Sequence, residues 1–330
     1  MKKQKKDESP LTQEIPRSIS IGDYAHQIIA EQFRRVDKQK KNVVADSDPE
    51  HLHQMRVGTR RLRTALQIFD VAIELPEVAS AKKIRDLARV LGLVRDLDVQ
   101  TASLKEDYQP RLDKREQKKL DHVLVALDQQ RQGAFSQMKI ALTDRDYKTL
   151  TDAYKAWLKK PTYTPIAALP LVSLLPDILS PLLSELLMHP GWLIPKGDIS
   201  DENSETLHDL RKVCKHVRYQ TEFFIPFYGE DFKNWIEEIK ELQASLGAFQ
   251  DTHVLQQLLT EQLGRKPQMP ELKAAIEQKQ ADSLANWEQV RQKYLDESTR
   301  YYLHQMLLQP IQRSTQLRSE RMVHEMAASN

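Results

Sequence analysis

Apolar positions along this chain recur at three- and four-residue intervals, the period of an amphipathic helix. Between Ile21 and Val36 they fall at Tyr24, Ile28, Ile29 and Phe33. The run DSDPE at 46–50 supplies a turn and a cap. In HLHQMRVGTRRLRTALQIF (51–69), Met55, Leu62, Leu66 and Phe69 then form one apolar stripe. Pro76 ends that region. The same periodicity predicts helices over Glu77–Leu104, Asp113–Ala141 and Tyr147–Leu158. Five prolines between Pro161 and Pro181 mark a boundary. Beyond it, Leu182–Met188 belongs to another helix, and 194–206 is a polar loop rich in capping residues. Helices follow over 207–224, Trp235–Leu263, Glu271–Tyr294 and Thr299–Leu308. No window sustains a two-residue alternation, so no sheet is expected.

The helical pattern repeats. Residues 207–224, LHDLRKVCKHVRYQTEFF, carry His208, Arg211, Lys215 and Arg218 at the spacing of His53, Arg56, Arg60 and Arg63, 155 positions earlier. Phe224 matches Phe69 at the same offset. IRDLARVLGLVRDLDV (84–99) aligns without a gap on IKELQASLGAFQDTHV (239–254), with Leu91/Leu246, Gly92/Gly247 and Asp96/Asp251 among the identities. A weaker match sets 126–138 beside 275–287, six residues out of register. The chain reads as a tandem duplication of four-helix bundles, each with room for an extra short helix. This divides it into a disordered basic tail (1–14), a first repeat (15–160), a second repeat (161–310) and a polar tail (311–330).

Composition narrows the class. A chain of 330 residues with 40% hydrophobic and 29% charged positions suits two helical domains of ordinary size. Nine glycines favour helix over sheet, and the net charge of +2 makes any cationic stripe a local feature. One cysteine, Cys214, excludes a disulfide framework and reads as a core thiol. The lysines of MKKQKKDESP are not followed by an apolar stretch, and the longest uncharged run, Thr162–Pro176, is too short to span a bilayer. A reduced cytoplasmic setting with no membrane contact is the expectation.

The candidate chemistry lies in the basic stripes. At about 100° per residue, His53, Arg56, Arg60 and Arg63 fall within roughly 80° of one helix face, about 120° from the apolar stripe. Each stripe extends along about 15 Å of helix at 1.5 Å per residue. Guanidinium groups fork two hydrogen bonds onto phosphate oxygens, so such a row suits a ligand with repeating anionic groups. No acidic residue stands between His51 and Arg63 to neutralise it. Lys82, Arg85 and Arg89 share a face of the third helix with Asp96, whereas in the second repeat only Lys240 remains, because Ala244 stands at the place of Arg89. The second site is therefore expected to be weaker. Asp96 and Asp251 read as groups that orient or neutralise cations. No metal-ligand spacing, cofactor motif or glycine-rich phosphate loop is present.

HQMRVGTRRLR (53–63), LGLVRDLDV (91–99) and LHDLRKVCKHVRY (207–219) together resemble the CHAD domain, the conserved histidine α-helical domain. The resemblance covers roughly residues 20–308. It implies an all-α fold of two tandem, pseudo-symmetric four-helix bundles with a central basic groove. It implies non-catalytic binding of inorganic polyphosphate, in the cytoplasm and at polyphosphate granules. His53, Arg56, Arg60, Arg63, His208, Arg211, Lys215 and Arg218 become groove residues, with Arg85, Arg89 and Lys240 as additions. Gln250 and His253 stand where the first repeat has Arg95 and Asp98, so the second motif is degraded. The residues ahead of the first helix are too few for the triphosphate-processing domain that some relatives carry. Two other readings compete: a phosphohydrolase acting on polyphosphate through His53, and a helical nucleic-acid-binding protein. The near-absence of aromatic residues among the cations argues against the second.

Overall fold

In the computed structural model, residues 18–198, 201–263 and 269–310 are described; the two tails lie outside them. Ser20 caps the first helix by accepting from the Asp23 amide at 3.1 Å, and α1 then runs from Ile21 to Val44, beyond the expected Val36. Its polar second half is held by Val36 and Val43, both 3% exposed. Asp48 caps α2 (Pro49–Ile68), accepting from the Glu50 amide at 2.8 Å, with Pro49 in the first turn where its missing N–H costs nothing. The rest of the first repeat is α3 (Ala81–Ser103), which continues as a π-helical turn over Leu104–Tyr108, then α4 (Lys114–Thr143) and α5 (Arg145–Lys159).

The second repeat comprises α6 (Leu171–Leu187), α7 (Asp201–Thr221), α8 (Glu230–Leu263), α9 (Pro270–Ser283), α10 (Trp287–Leu295) and α11 (Glu297–Leu307). The packing order recurs: α1 on α2, α2 on α3 and α3 on α4 correspond to α6 on α7, α7 on α8 and α8 on α9. The closing helices α5 and α11 pack on α1 and α6.

Besides α7 starting at Asp201, inside the expected 194–206 loop, three features depart from the expected elements. Pro176 and Pro181 lie inside α6 rather than in a linker. Burial of Leu171, Leu175, Leu179, Leu183 and Leu186, each 0% exposed, outweighs the two forfeited backbone hydrogen bonds. The stretch Leu171–Leu193 has the length and mean hydropathy, 1.6, of a membrane span, yet these leucines lie in the core. Second, a two-stranded antiparallel pair, β1 (Ile73–Glu74) with β2 (Thr162–Tyr163), corrects the expectation of no sheet; two residues per strand are too few to show an alternation. Third, the expected Glu271–Tyr294 helix is broken at Leu284–Asn286. The break lets Trp287 stack on Trp192 at 5.8 Å and donate to the Ile194 carbonyl at 2.9 Å.

The core does not divide at the repeat boundary. One apolar cluster extends from Ile19 to Leu307, and Tyr24 of α1 lies 5.1 Å from Phe227 of the second repeat. A smaller cluster joins Leu120, Val123 and Leu127 of α4 to Leu255, Leu272 and Ile276 of α8 and α9. There the 155-residue offset reappears as an exchange of caps. Glu116, 3% exposed, accepts from the Glu271 and Leu272 amides at 3.1 and 3.0 Å, and Glu271 accepts from the Asp113 amide at 2.6 Å. Each carboxylate thus sits at the start of the other repeat's helix, where the backbone dipole favours negative charge.

Candidate functional site

Helix α2 buries Leu52, Met55, Leu62 and Leu66. Gly58 lets it approach α1 closely: a Cβ there would meet Val36 at 3.1 Å. With that side committed to the core, Arg56, Arg60 and Arg63 line a cleft of about 590 Å³. Its second wall is α3, with Arg85, Arg89, Gly92 and Asp96. The third is α7, which contributes Lys212, Lys215, His216 and Tyr219. Five arginines and two lysines thus face a lining with one carboxylate, Asp96.

Specific contacts fix the guanidinium groups. Arg56 reaches across to Asp96 at 3.0 Å and passes over Gly92, where a Cβ would lie 2.7 Å from Nη1. The duplicated residues repeat this cradle, since a Cβ on Gly247 would lie 3.2 Å from Nε of Arg211. Asp251 completes the second unit: partial desolvation pushes its carboxyl up, against the pull of Arg211 and Lys279. Arg60 and Arg218 both lie over the Tyr219 ring, at 4.1 and 4.2 Å from its centroid. Glu222 receives Arg61 at 2.9 Å and Arg218 at 3.4 Å, bridging the two basic helices.

The environment also sets charge states. Burial, with Arg95, Arg60 and Arg56 nearby, holds His53 below the usual imidazole value. Burial, with Lys212 and Arg211, does the same for His208. Both imidazoles are therefore neutral at pH 7. Burial among Arg60, Arg211 and Arg56 pushes Lys215 down to about 8. Nε of Arg60 and of Arg211, and Nδ1 of His208, are buried without a hydrogen-bond partner among the described residues. Of these, the Arg60 nitrogen belongs to the cleft lining, where an orphaned donor suits an anionic acceptor.

Of the eleven residues singled out by sequence, the cleft brings together Arg56, Arg60, Arg63, Arg85, Arg89 and Lys215. His53, His208, Arg211, Arg218 and Lys240 do not line it. Arg218 is engaged by Glu222 and Tyr219, and Lys240 is exposed and paired with Glu237 at 2.7 Å. Lys212, His216, Tyr219, Thr64 and Gln67 line the cleft without having been singled out. Lys212, His216 and Tyr219 recur at intervals of four and three, a helix face next to the recognised stripe, which was the available signal. His253 is occupied structurally, 3.1 Å from the Phe249 carbonyl oxygen. Cys214 is buried and its thiol is pushed up to about 12, as suits a core position. Among the described residues, no group of three or more His, Cys, Asp or Glu is placed to hold a metal ion.

A family model described as the CHAD domain matches residues 27–260, well over half of the chain. No curated protein matches. Among solved structures, the chain is similar to the crystal structure of the CHAD domain from the plant Ricinus communis. Identity is 25% and the TM-score 0.59, over 89% of this chain and 93% of that one. It also shares its fold with PptA from Streptomyces chartreusis, at 15% identity and a TM-score of 0.51, covering 83% and 97% of the two chains.

Proposed function

From the premise that this chain belongs to the CHAD domain family, we propose that it binds inorganic polyphosphate in the α2–α3–α7 cleft without hydrolysing it. The observation that carries this reading is the charge of the lining: seven cations against the one carboxylate, which Arg56 already occupies. Such a surface favours a ligand with many linked phosphates, because each contact releases a condensed counterion. The histidines serve as neutral donors at its margin.

Two further points support binding over catalysis or base recognition. His53 stands outside the lining, and the cleft has no unpaired carboxylate to act as a general base. Tyr219, the aromatic side chain of the lining, already carries two guanidinium groups. The same reading places the protein in the cytoplasm, where polyphosphate granules form; microscopy of the tagged chain tests this.

The decisive experiment is calorimetric titration of long-chain polyphosphate into the wild type and the triple variant Arg56→Ala, Arg60→Ala, Arg63→Ala. Each charged contact is worth about 1.5–3 kcal/mol, so the triple change should abolish measurable binding. Unchanged affinity in the folded variant removes the site. Phosphate release from polyphosphate by the purified chain, abolished by His53→Ala, would establish the hydrolase instead. Competition by single-stranded RNA at equal affinity would favour the nucleic-acid reading.

A further inference from the structure

The lysines around the cleft differ in their partners. Lys212 pairs with Asp209 at 2.7 Å and Lys240 with Glu237 at 2.7 Å. Lys215, on the α7 wall, makes no ion pair or hydrogen bond among the described residues. The groups that act on it are Arg60 and Arg56 from α2, Arg211 on its own helix, and Asp96 from α3 as the opposing charge. An amine so placed is surrounded by guanidinium groups and makes no direct ion pair with a carboxylate among the described residues.

We propose that Lys215 is an acylation site, modified directly by acyl phosphates whose phosphoryl group docks on the cleft arginines. The inference rests on the anion-binding reading of the cleft. Docking places the carbonyl carbon of the mixed anhydride near Nζ, which converts a bimolecular encounter into an intramolecular one. The amine lone pair attacks that carbon and an amide C–N bond forms. The bond between the acyl carbon and the bridging oxygen breaks, inorganic phosphate leaves with that oxygen and the electron pair, and the amine gives up its proton to the solvent. No oxidant, metal or second enzyme enters the balance. The product is uncharged, so the modification removes one of the seven lining cations.

The amine is also suited to this attack by its protonation state. With a pKa of about 8, roughly a tenth of Lys215 is unprotonated at pH 7, some two hundredfold more than for an ordinary lysine. Lower basicity also lowers intrinsic nucleophilicity. A Brønsted slope of about 0.4–0.5, the size seen for thiolates, returns roughly a factor of ten. A net advantage on the order of twentyfold is left before docking contributes.

The test is site-resolved mass spectrometry of the full chain treated with acetyl phosphate and, in parallel, with N-hydroxysuccinimidyl acetate, which carries no phosphate. Lys215 should be acetylated by acetyl phosphate at least about tenfold faster than Lys212 and Lys240. Its preference should be several-fold greater with acetyl phosphate than with the succinimidyl ester. Saturating tripolyphosphate should remove that excess, as should Arg85→Ala with Arg89→Ala, two positions outside the core whose replacement leaves it intact. Equal preferences with the two reagents, or labelling of Lys215 no faster than of Lys212, overturns the proposal. Polyphosphate affinity measured on the same preparation separates the two readings. Tight binding without selective acetylation refutes this inference alone. Selective, phosphate-dependent acetylation without polyphosphate binding sustains it and refutes the chain-binding function.

Discussion

Gly92→Ala tests the cleft with a single methyl group. In the helix interior this change ordinarily stabilises, by about 0.5–1 kcal/mol. Here the new Cβ would lie 2.7 Å from Nη1 of Arg56, well inside contact distance. That atom is the tip of a long side chain, so the conflict is relieved when the guanidinium swings away, with α2 and α3 staying in place. The ion pair lost with it, Arg56–Asp96 at 3.0 Å, joins side chains that are 29% and 62% exposed. Solvent screening limits such a pair to about 0–1 kcal/mol. The two stability effects nearly cancel, and the melting temperature should move by no more than about 3 °C. Binding should respond differently. Displacing Arg56 removes one charged contact, about 1.5 kcal/mol at the lower end appropriate to a partly exposed group, or roughly tenfold in affinity. The slope of log K against log salt should become shallower by about 0.7. Thermal melting and polyphosphate titration at several salt concentrations measure all three quantities. A Gly92→Ala variant that binds with wild-type affinity and slope would show that Arg56 does not engage the ligand. A fall in melting temperature beyond about 10 °C would show that the methyl group pries the helices apart, and the close-approach argument would fail.

Further outcomes follow from the same contacts. Glu116→Ala strips two amides of α9 of their acceptor and removes a charge from a helix N-terminus; denaturant unfolding should show a loss of about 2–3 kcal/mol, with polyphosphate affinity per folded molecule unchanged. Polyphosphate affinity should fall as pH rises through about 8, because Lys215 loses its charge there and a bound anion must recruit a proton; Lys215→Arg should flatten that profile. The linkage to folding has the opposite sign: the folded chain holds this proton more weakly than the unfolded one, so Lys215 makes stability rise with pH between about 8 and 10.5. Arg218→Gln should lower stability more than affinity, since Glu222 and Tyr219 engage its guanidinium, whereas Arg63→Gln should do the reverse.

The helices were legible wherever an apolar stripe ran unbroken, and became illegible where tertiary packing overrode a local signal. α5 and α11 begin and end within about two residues of the expected positions, because each shows a clear face and an Asp cap, Asp144 and Asp296. α6 was hidden by its prolines, which usually end helices; only the mutual burial of its leucines, visible in three dimensions, keeps it continuous. The α9–α10 break was hidden for the opposite reason. Nothing in Leu284–Asn286 forbids a helix, and the interruption follows from where Trp287 must sit to meet Trp192 and Ile194.

The cleft shows the same limit at the level of the site. Identical spacing in two helices establishes that both carry a cationic stripe, but leaves the rotation of each helix against its neighbours open. α2 turns its stripe into the cleft, whereas α7 presents the adjoining face, Lys212, His216 and Tyr219, and keeps Lys215 as the residue common to both. What decides this is the third helix of each repeat. α3 extends the Arg56–Gly92–Asp96 cradle with Arg85 and Arg89. α8 has Lys240, already paired with Glu237, and Ala244. Among the described residues, duplication therefore yields two cradles but one extended cationic cleft, and the unpartnered nitrogens of Arg211 and His208 lie outside its lining. Under the proposed function, a polyanion that fills the cleft and extends along α7 would meet the second cradle at Arg211. Each phosphate added past Lys215 should gain affinity only once the chain reaches Arg211, a step in the length dependence that a uniformly basic surface would not produce.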